Sequence, residues 1–292
     1  MNPDLLLDLD SVLRQEAATL ARAEPILAAK LTRLLGEAGW LDTALTQLLS
    51  TSLACEDISP ASLAEVFEEL HGSSPDLRTL AALDIQATLR RDPASRSALR
   101  VLLHHKGFHA LQTHRAAHLL WTRGRQDLAC HLQWRASVVY SVDIHPACRI
   151  GHSTMLDHAT GLVIGETCVI QDGVSILQGV TLGGTGKQRG DRHPKIADGV
   201  LIGAGATLLG AIHVGEGAKI GAGSVVLSNV PAHKTVVGVP ARVVGPASAF
   251  YPAEEMDHSV ACPSETRAHP KHEGASLMNV RVQPPFSGKI PS

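Results

Sequence analysis

The stretch TLGGTGKQRGDRHPK, residues 181–195, gathers glycines, basic side chains and a histidine as phosphate-handling loops do. A P-loop requires Gly, four residues, then Gly-Lys-Ser or Gly-Lys-Thr, because backbone N–H groups cradle phosphate and the hydroxyl holds magnesium. Counting back from Gly186-Lys187 puts Thr181 at the first glycine and Gln188 at the hydroxyl, so two defining positions fail. Metal-assisted chemistry is a second option for a chain with sixteen histidines. Zinc catalysis needs three protein ligands converging on one ion. His105/His109 and His114/His118 have the HxxxH spacing that sets two rings on one helix face, and His145, His152, His158, His193 and His213 follow. No three-ligand set is recognisable among them, so no metal is expected. Five cysteines (Cys55, Cys130, Cys148, Cys168, Cys262) are odd in number, widely spaced and without a CxxC pair. That pattern suits free thiols in a reducing compartment.

Composition removes other classes of partner. The 292 residues are 44% hydrophobic and 18% charged, enough for a sizeable core. Lys and Arg total 26 against 28 acidic residues, which leaves no electrostatic footprint for nucleic acid or a membrane surface. The opening MNPDLLLDLDS is acidic where a signal peptide would be basic, and no run of about 18 apolar residues occurs. The expected location is cytoplasmic.

The elements that must position any site fall into an α+β arrangement. Residues 1–139 read as an all-α helical domain. Leu20, Leu27, Leu31 and Leu34 mark an apolar face, Ser74-Pro75 and Asp92-Pro93 read as helix starts, and Lys106-Gly107 and Arg123-Gly124 as breaks. Over 140–245 the rhythm changes. Every sixth residue, Ile144, Ile150, Leu156, Leu162, Cys168, Val174, Val180 and then Ile196, Ile202, Leu208, Val214, Ile220, Val226, is aliphatic or cysteine. A sustained period of six predicts a parallel β-helix of hexapeptide repeats with one continuous core. The register breaks once, between Val180 and Ile196, so the glycine-rich stretch is an extra loop thrown out from a coil. Residues 246–292 hold seven of the sixteen prolines and little periodicity, and are expected to be a mobile tail.

DIHPACRIG (143–151), LDHATG (156–161), VSILQGVTLGGTGK (174–187), GDRHPKI (190–196) and GVPARVVG (238–245) together resemble the serine O-acetyltransferases. The likeness extends to DIQATLRRDPA (84–94) and KGFHALQTHR (106–115). The resemblance implies an N-terminal helical domain followed by a left-handed β-helix, in a trimer or dimer of trimers. It implies transfer of the acetyl group of acetyl-CoA to the hydroxyl of L-serine, a step towards cysteine, with no permanently bound cofactor and L-cysteine as feedback inhibitor. Members of the family end in an isoleucine that enters O-acetylserine sulfhydrylase; here Ile290 is followed by Pro291-Ser292, which does not match that pattern.

A serine hydroxyl is un-ionised near neutral pH, so a base must take its proton as the new bond forms. Within the resemblance His158 is that base and Asp143 the acceptor that orients it, as triad chemistry requires. If eighteen residues make one coil, Asp143 lies three residues from the position stacked on His158. Asp157 and Asp92 resemble the contacts of the serine amino group, and Arg192 and His193 those of its carboxylate, an arrangement that matches a zwitterion. Asp92 has a second reading as a helix cap before Pro93. Gly183 and Gly184 would let the backbone approach the thioester. Acetyl-CoA is expected along the coils near Gly184, Thr185, Ala204, Lys219 and Ala222, the lysine meeting a phosphate. Ala204 and Ala222 are equally explained as turn residues. Two alternatives remain: another hydroxyl acceptor, or a non-catalytic scaffold subunit in which Asp143, His158 and Arg192 are dispensable.

Overall fold

The computed structural model describes residues 4–35, 41–186 and 189–260. Lys187, Cys262, Ile290 and most of the expected tail lie outside the described residues. Among the described residues eight helices come first: α1 (Asp4–Ala23), α2 (Pro25–Leu35), α3 (Leu41–Leu53), α4 (Pro60–Ser73), α5 (Asp76–Arg91), α6 (Ala98–His104), α7 (Lys106–Thr122) and α8 (Gln126–Tyr140). The leucine face is shared between α1 and α2, which part at Glu24 before Pro25; Leu31 and Leu34 are buried, with Leu20 and Leu27 packed beside them. Ser74-Pro75 does precede a helix, since α5 begins at Asp76 after Pro75, although no side chain caps it and Ser74 also closes α4. Asp92 instead ends α5, and among the described residues the side chains that cap N-termini are Ser59, before Pro60, and Ser97. Both accept a backbone N–H three residues on, satisfying a donor that the first turn leaves without a partner.

A parallel β-helix follows. Its first coil is β1 (Val142–Ile144), β2 (Arg149–Ile150) and β3 (Met155–Leu156), and the second is β4 (Leu162–Ile164), β5 (Val169–Ile170) and β6 (Ser175–Ile176). The third coil is β7 (Thr181–Gly183), β8 (Lys195–Ile196) and β9 (Leu201–Ile202), and the fourth is β10 (Thr207–Leu209), β11 (His213–Val214) and β12 (Lys219–Ile220). A last coil has β13 (Val225–Val226) and β14 (Lys234–Gly238), and β15 (Ala241–Pro246) turns back antiparallel on β14. Stacked coils give three faces. The first face is β1-β4-β7-β10-β13, the second β2-β5-β8-β11, and the third runs from β3 through β6, β9, β12 and β14 to β15.

The register departs from the six-residue count in one instructive way. Val163 pairs with Thr181 and Leu201 with Lys219, the eighteen-residue coil. Val142, however, pairs with Leu162, and Met155 with Ser175, twenty residues on. Two extra residues therefore sit in the turn between β3 and β4, which is Asp157–Gly161. The period survives in the sequence because each longer strand sends two side chains inward around one outward residue: Val142 and Ile144, then Leu162 and Ile164, are all buried. The six-residue count slips from one inward row to the other at Leu162 and returns at Ile196. The row that stacks is Ile164, Ile170, Ile176 and Leu182. The register breaks twice, and the glycine-rich loop contributes eight extra residues rather than ten.

The described residues form one compact unit, with an apolar cluster that runs unbroken from Leu49 and Phe67 through α7 and α8 into the coil interior. A buried ion pair staples the helices to the first coil. Arg115 on α7 pairs with Asp84 on α5 and donates to the carbonyls of Ile150 and Gly151, while Asp84 accepts the N–H of Thr154. Residues 247–260, expected to belong to the tail, instead strap the third face, with a short helix α9 (Pro252–Glu255) whose Ala253 is fully buried and accepts from Ser175 Oγ. Glu254 pairs with the buried Arg91 guanidinium, and Tyr251 packs on Gly199 and donates to Glu216.

Candidate active site

His158 stands on the enlarged turn at the edge between the third and first faces. His158 and Ala159 both adopt left-handed backbone, φ 54° and 59°, which non-glycine residues adopt at a cost that surrounding structure must hold. Three things hold it. Ala159 is fully buried, Asp157 donates its N–H to Ile176 O, and the start of α7 lands on the loop. Lys106 Nζ reaches Thr160 Oγ1, and a Cβ on Gly107 would lie 2.0 Å from Leu156 O, so only glycine lets the helix come this close. Lys106-Gly107 thus marks the break that the sequence suggested, with His105 closing α6 and opening α7, and starts α7 at a close approach. The result is an imidazole 74% exposed with Nε2 3.9 Å from Asp157 Oδ1. Asp143 faces outward from β1, where its Oδ1 accepts from Gln133 Nε2 at 2.7 Å. Among the described residues His158 has no ion pair with Asp143, so within the single chain the expected base and orienter are not joined.

Asp92 is neither an N-cap nor free. Its Oδ1 accepts the N–H of Ala94 and its Oδ2 the hydroxyl of Ser95, closing a turn after α5; Ser95 Oγ lies 3.2 Å from His105 Nε2, next to Lys106. That places Asp92 near the foot of α7, on the side of the His158 loop.

Arg192 and His193 lie elsewhere, at the opposite edge of the first face, where β4 and β7 turn into the second. The His193 ring covers Gly165, where any Cβ would fall 2.1 Å from it. Thr167 Oγ1 accepts the backbone N–H of Arg192 at 3.0 Å and of His193 at 3.1 Å. Glu166 Oε2 holds Arg192 Nη2 at 2.6 Å, and that hydrogen bond, ahead of the guanidinium charge, lowers the Glu166 pKa. Burial first, and then the Arg192 charge, lowers the His193 pKa, so the ring is neutral near pH 7. His145, whose pKa burial also lowers, stacks edge-on with Trp121 and completes this edge. Glu166 and Thr167 are absent from the residues singled out in the sequence, yet they carry a visible signal. The repeats IGAGA (202–206), VGEGA (214–218) and IGAGS (220–224) have glycine as their fourth residue, and IGETC (164–168) has threonine.

The residues expected to hold acetyl-CoA divide. Ala204 and Ala222 lie on the same edge as His158, in a column that also contains Gly161, Gly179, Gly205 and Gly223, all left-handed. Gly179 donates to Thr160 O, Gly205 to Gln178 O and Gly223 to Ala204 O, so the turns stack directly in a line that starts at the His158 loop and passes Gln178 before reaching the two alanines. Thr185 and Gly184 follow β7 on the Arg192 edge, Thr185 Cγ2 being 3.5 Å from where a Gly210 Cβ would be. Lys219 does not fit its expected role. It is 2% exposed, and its Nζ donates to Ser259 O at 2.5 Å and to Ser248 Oγ, with Asp257 3.6 Å away. Its charge is neutralised beneath the strap rather than offered to a phosphate. Among the described residues, no three His, Cys, Asp or Glu side chains converge as a metal requires.

A hexapeptide β-helix that sets a histidine on an enlarged turn, at the head of a stack of glycine- and alanine-containing turns, has the architecture of the hexapeptide-repeat acyltransferase class. The comparisons narrow it. The family model "Serine acetyltransferase, N-terminal" matches residues 11–113, and "Bacterial transferase hexapeptide (six repeats)" matches 193–228. A serine acetyltransferase of Salmonella typhimurium is 53% identical over 245 residues, 84% of this chain and 90% of its own. The structure of a serine acetyltransferase in complex with cysteine superposes with TM-score 0.85 at 51% identity, covering 87% of this chain and 99% of that one. A Brucella abortus serine acetyltransferase in complex with coenzyme A superposes with TM-score 0.81 at 48% identity, over 83% and 97%. The chain belongs to the serine acetyltransferase family.

Proposed function

We propose that the protein transfers the acetyl group of acetyl-CoA to the hydroxyl of L-serine, with His158 as general base. The serine Oγ attacks the thioester carbonyl while His158 accepts its proton. The tetrahedral intermediate then expels the CoA thiolate, which recovers that proton, leaving O-acetylserine and free CoA. The edge at Ala204 and Ala222 suits the pantetheine arm because those two side chains stop at Cβ, and the coenzyme A complex of a relative supports binding of the cofactor. The observation that carries the reading is the two-residue enlargement that holds His158 exposed at the head of this edge.

The two halves of the site flank the first face at opposite edges. Three strand residues span about 10 Å before the turns are added, more than one serine can bridge. We infer that the His158 edge of one chain meets the Arg192–His193 edge of the next, in a ring that closes as a trimer. The first face supports this: it presents outward the row Asp143, Val163, Thr181, Thr207 and Val225, with Val163 and the nearby Trp134 and Val138 exposed. Asp143 would then orient His158 in the closed assembly. The cysteine complex of a relative supports binding of L-cysteine, which as a feedback inhibitor would occupy the serine position. A partnership with O-acetylserine sulfhydrylase depends on residues outside those described. No helix among the described residues is long and apolar enough to cross a membrane.

The test is release of CoA thiol from acetyl-CoA with L-serine, homoserine or a galactoside as acceptor. Serine-dependent release supports the reading, whereas release with another acceptor alone rejects serine. No release with any acceptor moves the protein to the scaffold alternative.

A further inference from the structure

The geometry points to Thr167 as the positioning residue that seats the Arg192–His193 pair and fixes His193 as an Nε2–H donor. The argument is an accounting of protons around one hydroxyl and one ring. Thr167 Oγ1 accepts two backbone N–H groups, from Arg192 and His193, which use both of its lone pairs. Its single proton must therefore be given away, and His193 Nδ1 lies 2.8 Å from it. The Asp191 carboxylate also draws on this hydroxyl. Whichever acceptor takes that proton, the tautomer is the same, because the backbone N–H of Thr167 itself points at Nδ1, at 3.2 Å. A backbone N–H can only donate, so Nδ1 is an acceptor without a proton. Burial keeps the ring neutral, and its one proton is left on Nε2. That nitrogen lies between Gly165 and Gly184, 2.1 Å from where a Cβ on Gly165 would stand and 3.5 Å from one on Gly184.

The consequence is chemical. His193 approaches a ligand as a neutral donor with a fixed direction and cannot serve as a second base. Beside it Arg192 is steadied by Glu166 Oε2 and by the Gly190 carbonyl, 3.1 Å from Nη1. Together they present a cation and a neutral N–H to one oxyanion, which selects an acceptor carrying a carboxylate next to its hydroxyl. The identity of that acceptor as serine rests on the function proposed above; the hydrogen bonds do not.

The experiment has two arms. The first is a long-range ¹H–¹⁵N correlation spectrum of the intact protein at neutral pH, with the His193 ring assigned by its loss in His193→Gln. An unprotonated Nδ1 and a protonated Nε2 are expected, and a protonated Nδ1 overturns the proposal. The second compares Thr167→Val and Thr167→Ser. Valine keeps the shape but strands both N–H groups, and the KM for serine is expected to rise about tenfold or more with the KM for acetyl-CoA unchanged. Serine at 167 is expected to restore it. A wild-type KM for serine in the valine variant, or equal rises for both substrates, overturns the positioning role. The spectrum needs no turnover, so it decides the tautomer even if serine proves not to be the acceptor.

Discussion

At the scale of single residues, His158 owes its place to the backbone and not to contacts of its ring. Left-handed φ at two successive non-glycine residues pushes the imidazole outward, and Gly107, Lys106 and the buried Ala159 hold the loop in that state. His158→Ala should therefore remove the base without disturbing the fold. A fall in kcat of about 10²–10⁴-fold is expected, the usual contribution of general base catalysis. Sedimentation and circular dichroism of the variant should match the parent. Turnover near the parent's would reject His158 as base. The sequence marked this residue well because LDHATG is a local motif. Thr167 is marked only by its departure from the glycine that the other repeats carry, because its contacts are with residues twenty-five and more positions away.

At the scale of elements, α5 and α7 are fixed to the first coil by the Asp84–Arg115 pair, with Arg91 and Glu254 adding a second link through the strap. Both members of the first pair are nearly inaccessible, Asp84 at 1% and Arg115 at 5% exposure. Removing one partner strands a buried charge, which costs about 3–5 kcal/mol, whereas replacing both by apolar residues of similar volume is far milder. Arg115→Met should thus lower the denaturant midpoint sharply, and the double variant Asp84→Leu with Arg115→Met should recover much of it. Equal midpoints for the single variant and the parent would refute the staple. The pair was invisible to periodicity, since DIQATLRRDPA and KGFHALQTHR are adjacent only after folding.

At the scale of the whole molecule, two consequences can be measured. If each active site takes His158 from one chain and Arg192 from its neighbour, mixed assemblies of His158→Ala and Arg192→Ala chains contain some sites with both native residues. Activity should appear on co-assembly of two inactive variants. Its complete absence, with mixed trimers demonstrated, would place the whole site within one chain. The second consequence concerns acid. Burial lowers the pKa of His71, His109, His114 and His193 in the folded chain, His114 well below its usual value. The unfolded chain binds protons at these rings from about pH 6.5 downward while the folded one resists them. Stability contributed by the neutral rings is therefore complete above that pH and declines as pH falls through the window below it. Tm should drop between pH 7 and 5, and His114→Phe should flatten the slope; an unchanged slope would remove His114 from the explanation.

By itself the sequence determined the helical region, the β-helix, the family and the class of reaction, and named candidates for the site. A period of six requires an inward residue on every side of a coil, and the motifs around His158 and Arg192 are contiguous. Only the tertiary structure decided how the coils register, because Val142 and Ile144 both point inward and a two-residue slip from one row to the other keeps the aliphatic count intact. It also decided the fate of Lys219, whose partners Asp257 and Ser259 arrive from a strap that shares no pattern with the coil. Likewise it set His158 and Arg192 on opposite edges of one face: sequence spacing measures distance along the coil, and the three-sided cross-section turns that distance into direction.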